Sequence, residues 1–167
     1  MEGSNKARID PIKEAINIFT KVVEIVEHID AAKDREKVGS KIRTRAREIP
    51  SFLSEIGLIP TLSFCYSKTD REILKLVHEA WTKNQGQNHA GELRKMNEDK
   101  VAYSLYLIAM LEYLQRVFGE KLIEDVCNPH VVLGKLCEKS LFGKKMLEKF
   151  LTELKKLCEA YWKAEER

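Results

Sequence analysis

The sequence predicts an all-α protein, a single compact bundle of about six to eight helices. Apolar side chains recur at three- and four-residue steps along most of the 167 residues, which is the period of one face of an α-helix. The sequence contains neither a sustained apolar–polar alternation between hairpin turns nor a strand–glycine–helix phosphate loop. Hydrophobic residues make up 44% of the chain, enough for one core without disulfide or metal staples. We therefore expect one helical domain over residues 1–167.

Capping residues and glycine mark the predicted helix boundaries in the first half of the chain. Asp10 followed by Pro11 is typical of a helix start. The carboxylate accepts hydrogen bonds from N–H groups of the first turn, and proline lacks an N–H group that would have no partner at this position. Gly57 can adopt the left-handed conformation that ends a helix, and Thr69 and Glu72 have the spacing of a capping box. The predicted helices cover about 11–28, 31–56, 60–66 and 70–84, and Pro50 is expected to kink or split the second.

The second half continues the helical pattern after an aperiodic polar segment. Residues 84–96 are expected to form a flexible loop, and residues 1–9 to be disordered. Asn97 is the predicted N-cap of a helix that Gly119 ends. Because this helix is apolar on two sides, it is expected at the centre of the bundle. Further helices are predicted over about 120–127, 128–141 and 143–164.

The four cysteines are expected to be reduced thiols in the core. Cys65, Cys127, Cys137 and Cys158 lie far apart in mostly apolar helical patterns, unlike the cysteines of a secreted disulfide framework. The N-terminus has no apolar signal core, and no stretch has the uncharged length that a membrane span requires. We therefore expect a cytoplasmic protein without a membrane partner.

Motifs of catalysis and metal binding are incomplete in this sequence. His78-Glu79 resembles the start of a zinc-protease motif, but Thr82 stands where the second histidine is required. Paired carboxylates occur only within charged helical faces, and no nucleophile has a histidine at a suggestive spacing. We predict no catalytic residue, no metal site and no cofactor. Three residues offer only part of a four-ligand zinc site, namely Cys127, His130 and Cys137.

The strongest charge feature lies on the second predicted helix, where the eleven residues 37–47 contain five cations and no acid and so carry +5, against +3 for the whole chain. At 100° per residue, Lys37, Lys41 and Arg45 flank one side of the apolar stripe, and Arg43 and Arg47 flank the other. We call these five residues the basic cluster. Such a surface is suited to bind phosphates with strong salt dependence and without reading bases. The alternative is an ordinary solvated helix whose cations are countered by acids on neighbouring helices.

A weaker basic pattern occurs on the last predicted helix. Its lysines alternate with glutamates, which favours charge pairing within the helix. Lys155 and Lys156 are nevertheless candidates to assist the basic cluster in nucleic-acid binding. The tyrosines of the central helix have the spacing of a bundle seam rather than of a base-stacking platform.

Several short motifs point to one family. The basic stretch Arg43-Thr44-Arg45-Ala46-Arg47 precedes a proline-containing helix that ends in Ile56-Gly57-Leu58, and Thr61-Leu62-Ser63-Phe64 opens the next helix. The last helix adds Leu147, Phe150, Leu151, Leu154, Lys155, Lys156, Leu157 and Ala160, with Lys156-Leu157 where the family usually has Arg-Phe. In these features the sequence resembles the small helical subunit of the Cmr complex, the type III-B CRISPR effector.

The resemblance implies a non-catalytic subunit that stacks in several copies beside the backbone subunits of that complex. Its implied partners are the other Cmr subunits, CRISPR RNA, target RNA and further copies of itself. Exposed apolar positions on the last helix would meet a neighbouring subunit. Base pairing would supply the sequence specificity. The expected nucleic-acid-binding residues are Lys37, Lys41, Arg43, Arg45, Arg47, Lys155 and Lys156.

Two other classes of function compete with this hypothesis. A generic helical adaptor that binds protein rather than RNA would explain the bundle equally well. A helix-turn-helix DNA reader would need polar side chains on the helix after Gly57, where Leu62 and Phe64 offer none to base edges. A structure that holds each cation of the basic cluster on an intramolecular acid would argue against the RNA role.

Overall fold

The computed structural model describes residues 8–31, 37–83 and 86–165, except for the side chains of 86–88. Within these ranges all regular structure is helical, so the all-α prediction is confirmed. Two 3₁₀ turns lie at Ile123–Asp125 and Cys137–Lys139. The α-helices are α1 (Pro11–Asp30), α2 (Lys37–Ile56), α3 (Leu58–Ser67), α4 (Arg71–Thr82), α5 (Gly86–Leu93), α6 (Glu98–Phe118), α7 (Pro129–Leu136) and α8 (Ser140–Tyr161).

Helix α6 forms the centre of the bundle. Every residue from 101 to 114 is buried, so the helix is covered on all sides, as expected from its two apolar faces. Helices α1, α2, α3, α4 and α8 all pack against it. The ring of Tyr113 stacks on that of Phe150 in α8, with the ring centroids 4.3 Å apart. The predicted boundaries also hold, because the Asn97 side chain accepts from Lys100 N and Gly119 ends the helix with φ of 67°.

Helix α8 packs against both α1 and α2. Lys144, near its start, donates to the carbonyl of Ser54 near the end of α2 at 3.1 Å. Trp162, just after α8, packs on Gly39 near the start of α2, so the two helices run antiparallel. A Cβ on Gly39 would collide with the indole, so this position requires glycine.

Helix α2 is capped by α1 and is continuous through its proline. The carboxylate of Asp30 accepts from the N–H groups of Val38 and Gly39, at 3.3 and 3.1 Å. Pro50 lies inside the helix without splitting it. Gly57 ends it with φ of 86°, a positive value as predicted. The predicted start at residue 31 cannot be compared, because 32–36 lie outside the described residues.

The segment 84–96, predicted as a loop, contains the two-turn helix α5. Ala90 and Leu93 bury their side chains against the bundle. Two apolar residues are too few to establish a period, which is why the sequence pattern missed the helix. Arg94 then donates to the carbonyls of His28 and Ile29 at the end of α1, tying α5 to that helix. The predicted disorder of 1–9 falls mostly outside the described residues, but Ile9 packs against the core.

Three local predictions were wrong. Asp70, rather than Thr69, caps α4 by accepting from Ile73 N at 2.9 Å, while the Thr69 hydroxyl pairs with that of Ser104. The helix predicted over 120–127 is a single 3₁₀ turn. Helix α8 begins at Ser140 instead of 143.

The cysteines are free, and two of them belong to the core. Cys65 and Cys158 are buried, and burial raises the pKa of each thiol to about 12. Cys127 is half-buried. Cys137 is exposed, so its assignment to the core was wrong. In the part of the chain that the structure describes, no helix combines the length and the apolar character needed to cross a membrane.

Candidate nucleic-acid interface

One flank of the basic cluster lies against the start of α6. Lys37 Nζ is 3.7 Å from Glu98 Oε1, and Lys41 Nζ is 3.3 Å from Asp99 Oδ1. Arg45 Nη2 lies 3.8 Å from the same Asp99 oxygen. Both acids occupy the first turn of α6, where the helix dipole also favours negative charge. These acids therefore stabilise the N-terminal end of α6, and they also neutralise part of the positive charge of α2.

Arg45 is the most firmly held member of the cluster. Its guanidinium lies 4.7 Å from the centroid of the Tyr103 ring and donates to Tyr103 Oη at 2.5 Å and to Glu48 Oε2 at 2.9 Å. Only 15% of its side chain is exposed. Burial raises the pKa of Tyr103, and Arg45 opposes that shift. Arg45 is therefore as much a part of the α2–α6 packing as of the surface.

The other flank of the cluster faces α8. Arg47 Nε is 3.3 Å from Glu159 Oε1, with 59% of the arginine side chain exposed. Arg43 is half-buried, and its Nε has no hydrogen-bond partner. Among the described residues no acid lies within ion-pair distance of Arg43. It is thus the member of the cluster whose charge is least compensated.

Lys41 is held between two acids. Besides Asp99, the carboxylate of Glu165 approaches its Nζ at 3.5 Å. Burial acts to lower the pKa of Lys41, but the hydrogen bonds and charges of Asp99 and Glu165 outweigh it and raise that pKa. Lys41 is therefore fully charged at neutral pH.

The two candidate lysines of α8 have different surroundings. Lys156 is exposed, and its Nζ pairs with Glu153 Oε1 at 3.0 Å. Lys155 is half-buried and has no ion pair among the described residues. Lys155 lies eleven positions after Lys144, which is almost the same angle around the helix, so it leaves α8 on the flank where Lys144 reaches Ser54 of α2. Lys155 therefore shares the α2–α8 seam with Arg43 and Arg47, whereas Lys156 faces solvent.

Four of the five cluster cations thus pair with acids inside the described ranges, as the alternative of a solvated helix expected. The sequence could not name these acids, because Glu98, Asp99, Glu159 and Glu165 lie far from α2 along the chain and reach it only through tertiary packing. The exposed pairs of Lys37 and Arg47 contribute about 0–1 kcal/mol each. Such pairs reduce the field of the cluster, and a polyanion can displace them.

A second charged cluster was not predicted from the sequence. Glu112 on α6 is only 8% exposed and accepts from Trp81 Nε1 of α4. Its carboxylate lies 3.3 Å from Lys21 Nζ of α1 and 3.1 Å from Arg116 Nη2. Arg116 also reaches Glu14 at 2.6 Å. We call these five residues the Glu112 network; they join α1, α4 and α6.

The residues weighed as zinc ligands do not assemble into a site. Across the described ranges no three His, Cys, Asp or Glu side chains lie close enough together to hold a metal ion.

Fold and surface together define a class: a small helical bundle that presents ion-paired basic residues along one of its helices. Residues 19–125, almost two thirds of the chain, match the family model described as CRISPR-associated protein (Cas_Cmr5). The chain therefore belongs to this CRISPR-associated family, and the resemblance seen in its motifs is confirmed.

Two solved structures share the fold. One chain of a type III-B Cmr-beta complex bound to non-cognate target RNA aligns with a TM-score of 0.73 at 20% identity. One chain of a type III-B Cmr-beta bound to cognate target RNA and AMPPnP aligns with a TM-score of 0.72 at 22% identity. Each alignment covers 93% of this chain and 97% of the other. No curated protein sequence matches the chain.

Proposed function

We propose that the chain is a structural, non-catalytic subunit of a cytoplasmic type III-B CRISPR effector complex, in which it contacts guide or target RNA through the basic cluster. Family membership and the two similar chains support a place in such a complex, since both chains come from particles described with target RNA. In this proposal specificity comes from base pairing, and the subunit supplies positive charge along the RNA backbone.

The observation that carries the RNA contact is the concentration of cations on α2 and along its seam with α8. Arg43 and Lys155 have no acid partner among the described residues. Arg47 and Lys37 are 59% and 50% exposed, so each can exchange its glutamate for a phosphate. Each phosphate that is neutralised also releases condensed counterions, a gain that an intramolecular carboxylate does not provide. The exposed face of α2, from Lys37 to the seam with α8, is therefore the favoured path of the RNA.

Arg45 has a different role in this proposal. Its contacts with Tyr103 and Glu48 leave little of the side chain free for a phosphate. It positions the cluster by fixing α2 on α6 and adds its charge at longer range. Substitution of Arg45 would disturb packing as well as binding, so it is a poor residue for testing the RNA contact.

The RNA contact is tested with a complex assembled around the triple variant R43Q/R47Q/K155Q. We expect weaker binding of complementary target RNA and a salt dependence of log Kd on log salt that is shallower by about 0.7 for each phosphate the variant no longer neutralises. The matched control is K13Q/K83Q/K95Q, which removes three exposed cations from other surfaces. Equal binding and an equal salt slope in the triple variant and the unmodified complex would contradict the proposal.

A helical adaptor without RNA contact is the second candidate, and one observation favours it: four of the five cluster cations already have acid partners within the described ranges. The same experiment separates the two functions. If the triple variant assembles normally and binds RNA unchanged, the subunit acts through protein contacts alone.

Stacking against a neighbouring subunit is the other part of the proposal. Leu141 and Phe142, at the start of α8, are 86% and 55% exposed, and Ile56 at the end of α2 is 48% exposed. The Lys144–Ser54 contact brings these helix ends together, so the three side chains lie at one end of the bundle. We propose that this end meets a neighbour, because an assembly covers apolar surface that a monomer leaves in water.

The substitution Leu141→Ser tests the stacking contact. Since the side chain is almost fully exposed, the free energy of unfolding of the isolated chain, measured by thermal denaturation, should change by less than about 0.5 kcal/mol. The number of copies per particle, measured by native mass spectrometry, should fall. Thr152→Ala, on the exposed face of α8, is the control. An unchanged copy number in Leu141→Ser would place the contact elsewhere.

A further inference from the structure

The segment that follows α8 crosses the N-terminal half of α2. Trp162 ends the helix in an extended conformation and is 5% exposed. Its indole packs on Gly39 and lies edge-on to the ring of Phe19, with the centroids 5.4 Å apart. This anchor directs residues 163–165 over the basic cluster.

Glu165 is the acid that this segment brings to α2. Its Oε1 lies 3.5 Å from Lys41 Nζ, and Asp99 occupies the other side of the same ammonium group at 3.3 Å. The carboxylate of Glu165 therefore stands where an RNA phosphate would have to bind in order to reach Lys41.

The two acids on Lys41 are held very differently. Asp99 belongs to the first turn of α6, whose backbone is fixed by the central packing of the bundle. Glu165 lies beyond the end of α8, on a segment without regular structure, and 38% of its side chain is exposed. A phosphate can therefore displace Glu165 together with its short segment, whereas Asp99 can leave Lys41 only by a change of side-chain conformation on a backbone that stays in place.

From this arrangement we infer that Glu165 competes with RNA phosphate for Lys41, so that the segment 163–165 acts as a displaceable acidic cover on the RNA-binding surface. The inference rests on the proposed function and concerns its regulation. The cover weakens the non-specific electrostatic binding of RNA that is not complementary to the guide. RNA that is held in place by base pairing to the guide overcomes it.

The test compares complexes assembled with Glu165→Gln and with the unmodified chain. The probe is a labelled single-stranded RNA without complementarity to the guide, because its binding depends on charge alone. At low salt we expect the Kd to fall about two- to fivefold, the equivalent of one exposed ion pair, and the difference to vanish at high salt. The charge-matched control is Glu138→Gln, an exposed acid on the 3₁₀ turn before α8, which should leave the Kd unchanged.

A double-mutant cycle with Lys41→Gln assigns the effect to the pair. Lys41→Gln should weaken binding of the same RNA, and Glu165→Gln should have no further effect in that background. If Lys41→Gln weakens binding but Glu165→Gln alone leaves the Kd unchanged, the acidic cover is wrong and the RNA contact stands. The cover is also wrong if Glu165→Gln lowers only the thermal stability of the chain. If neither Lys41→Gln nor the triple variant R43Q/R47Q/K155Q changes RNA binding, both the cover and the proposed RNA contact fail.

Discussion

The basic cluster on α2 and the Glu112 network contain the same kinds of charged side chain at different depths. In the network a carboxylate that is 8% exposed is surrounded by an indole N–H and two cations from three helices. In the cluster the cations reach outward to acids that are 26–49% exposed. Burial of the carboxylate, rather than the number of ion pairs, therefore distinguishes the two regions, since Lys21 and Arg116 are themselves more exposed than Arg45.

The free energy of unfolding that is lost when a charged group is removed also differs between the two regions. Removing the acceptor of a buried N–H group costs about 1–3 kcal/mol, because no water takes its place. Removing one member of an exposed pair costs about 0–1 kcal/mol, because water replaces the missing partner. Stability measurements should therefore separate the two clusters cleanly.

The largest expected effect is that of Glu112→Ala. The substitution leaves the buried Trp81 N–H without an acceptor and removes one partner of Lys21 and of Arg116, so we expect a loss of about 2–3 kcal/mol in the free energy of unfolding. Chemical denaturation followed by circular dichroism measures it. Glu24→Ala removes an exposed acid of α1 and is the control, with an expected change below about 0.5 kcal/mol. Similar midpoints for the two variants would contradict a structural role for the network.

Gly39→Ala should have the next largest effect. The added methyl group would overlap the indole of Trp162, so we expect a loss of about 1–3 kcal/mol from overpacking. Tryptophan fluorescence should also shift, because the indole moves into water. Gly134→Ala is the matched control: a Cβ there meets no neighbour, and alanine should stabilise α7 by up to about 1 kcal/mol. An unshifted spectrum in Gly39→Ala would mean that Trp162 is not anchored on α2.

The smallest effect on stability is expected for Lys37→Gln combined with Arg47→Gln. Both cations belong to exposed pairs, so the free energy of unfolding should change by less than about 1 kcal/mol in total. Differential scanning calorimetry of the isolated chain provides the measurement. A loss comparable to that of Glu112→Ala would show that the basic cluster is a structural element and would remove the contrast between the two regions.

Much of the fold could be predicted from local signals. Asp10-Pro11, Asn97 and Gly119 mark true helix ends, because capping depends on a few neighbouring backbone groups. The central position of α6 followed from apolar residues on two sides. Helix α5 was missed because Ala90 and Leu93 form too short a pattern. Thr69 was chosen over Asp70 as the cap because both residue types satisfy the same rule.

The candidate site was only half predictable. The five cations of the basic cluster lie within eleven residues of the sequence and needed no structure to be found. Their acid partners are supplied by α6, by α8 and by the segment after α8, and nothing in the sequence aligns Glu98, Asp99 or Glu165 with α2. The same holds for Glu112, which is the only charged residue in the buried stretch 101–114 of α6 and shows its partners only in the packed bundle.

By itself, then, the sequence determined most of the helices, the central position of α6 and the place where positive charge accumulates. These properties depend on periodicity and composition over short stretches of chain. Only the tertiary structure decided which of those charges are compensated, because Coulomb interactions depend on distance and solvent exposure. Packing of α6 and α8 against α2 sets both quantities, and leaves Arg43 and Lys155 with the least compensated charge of the candidate residues.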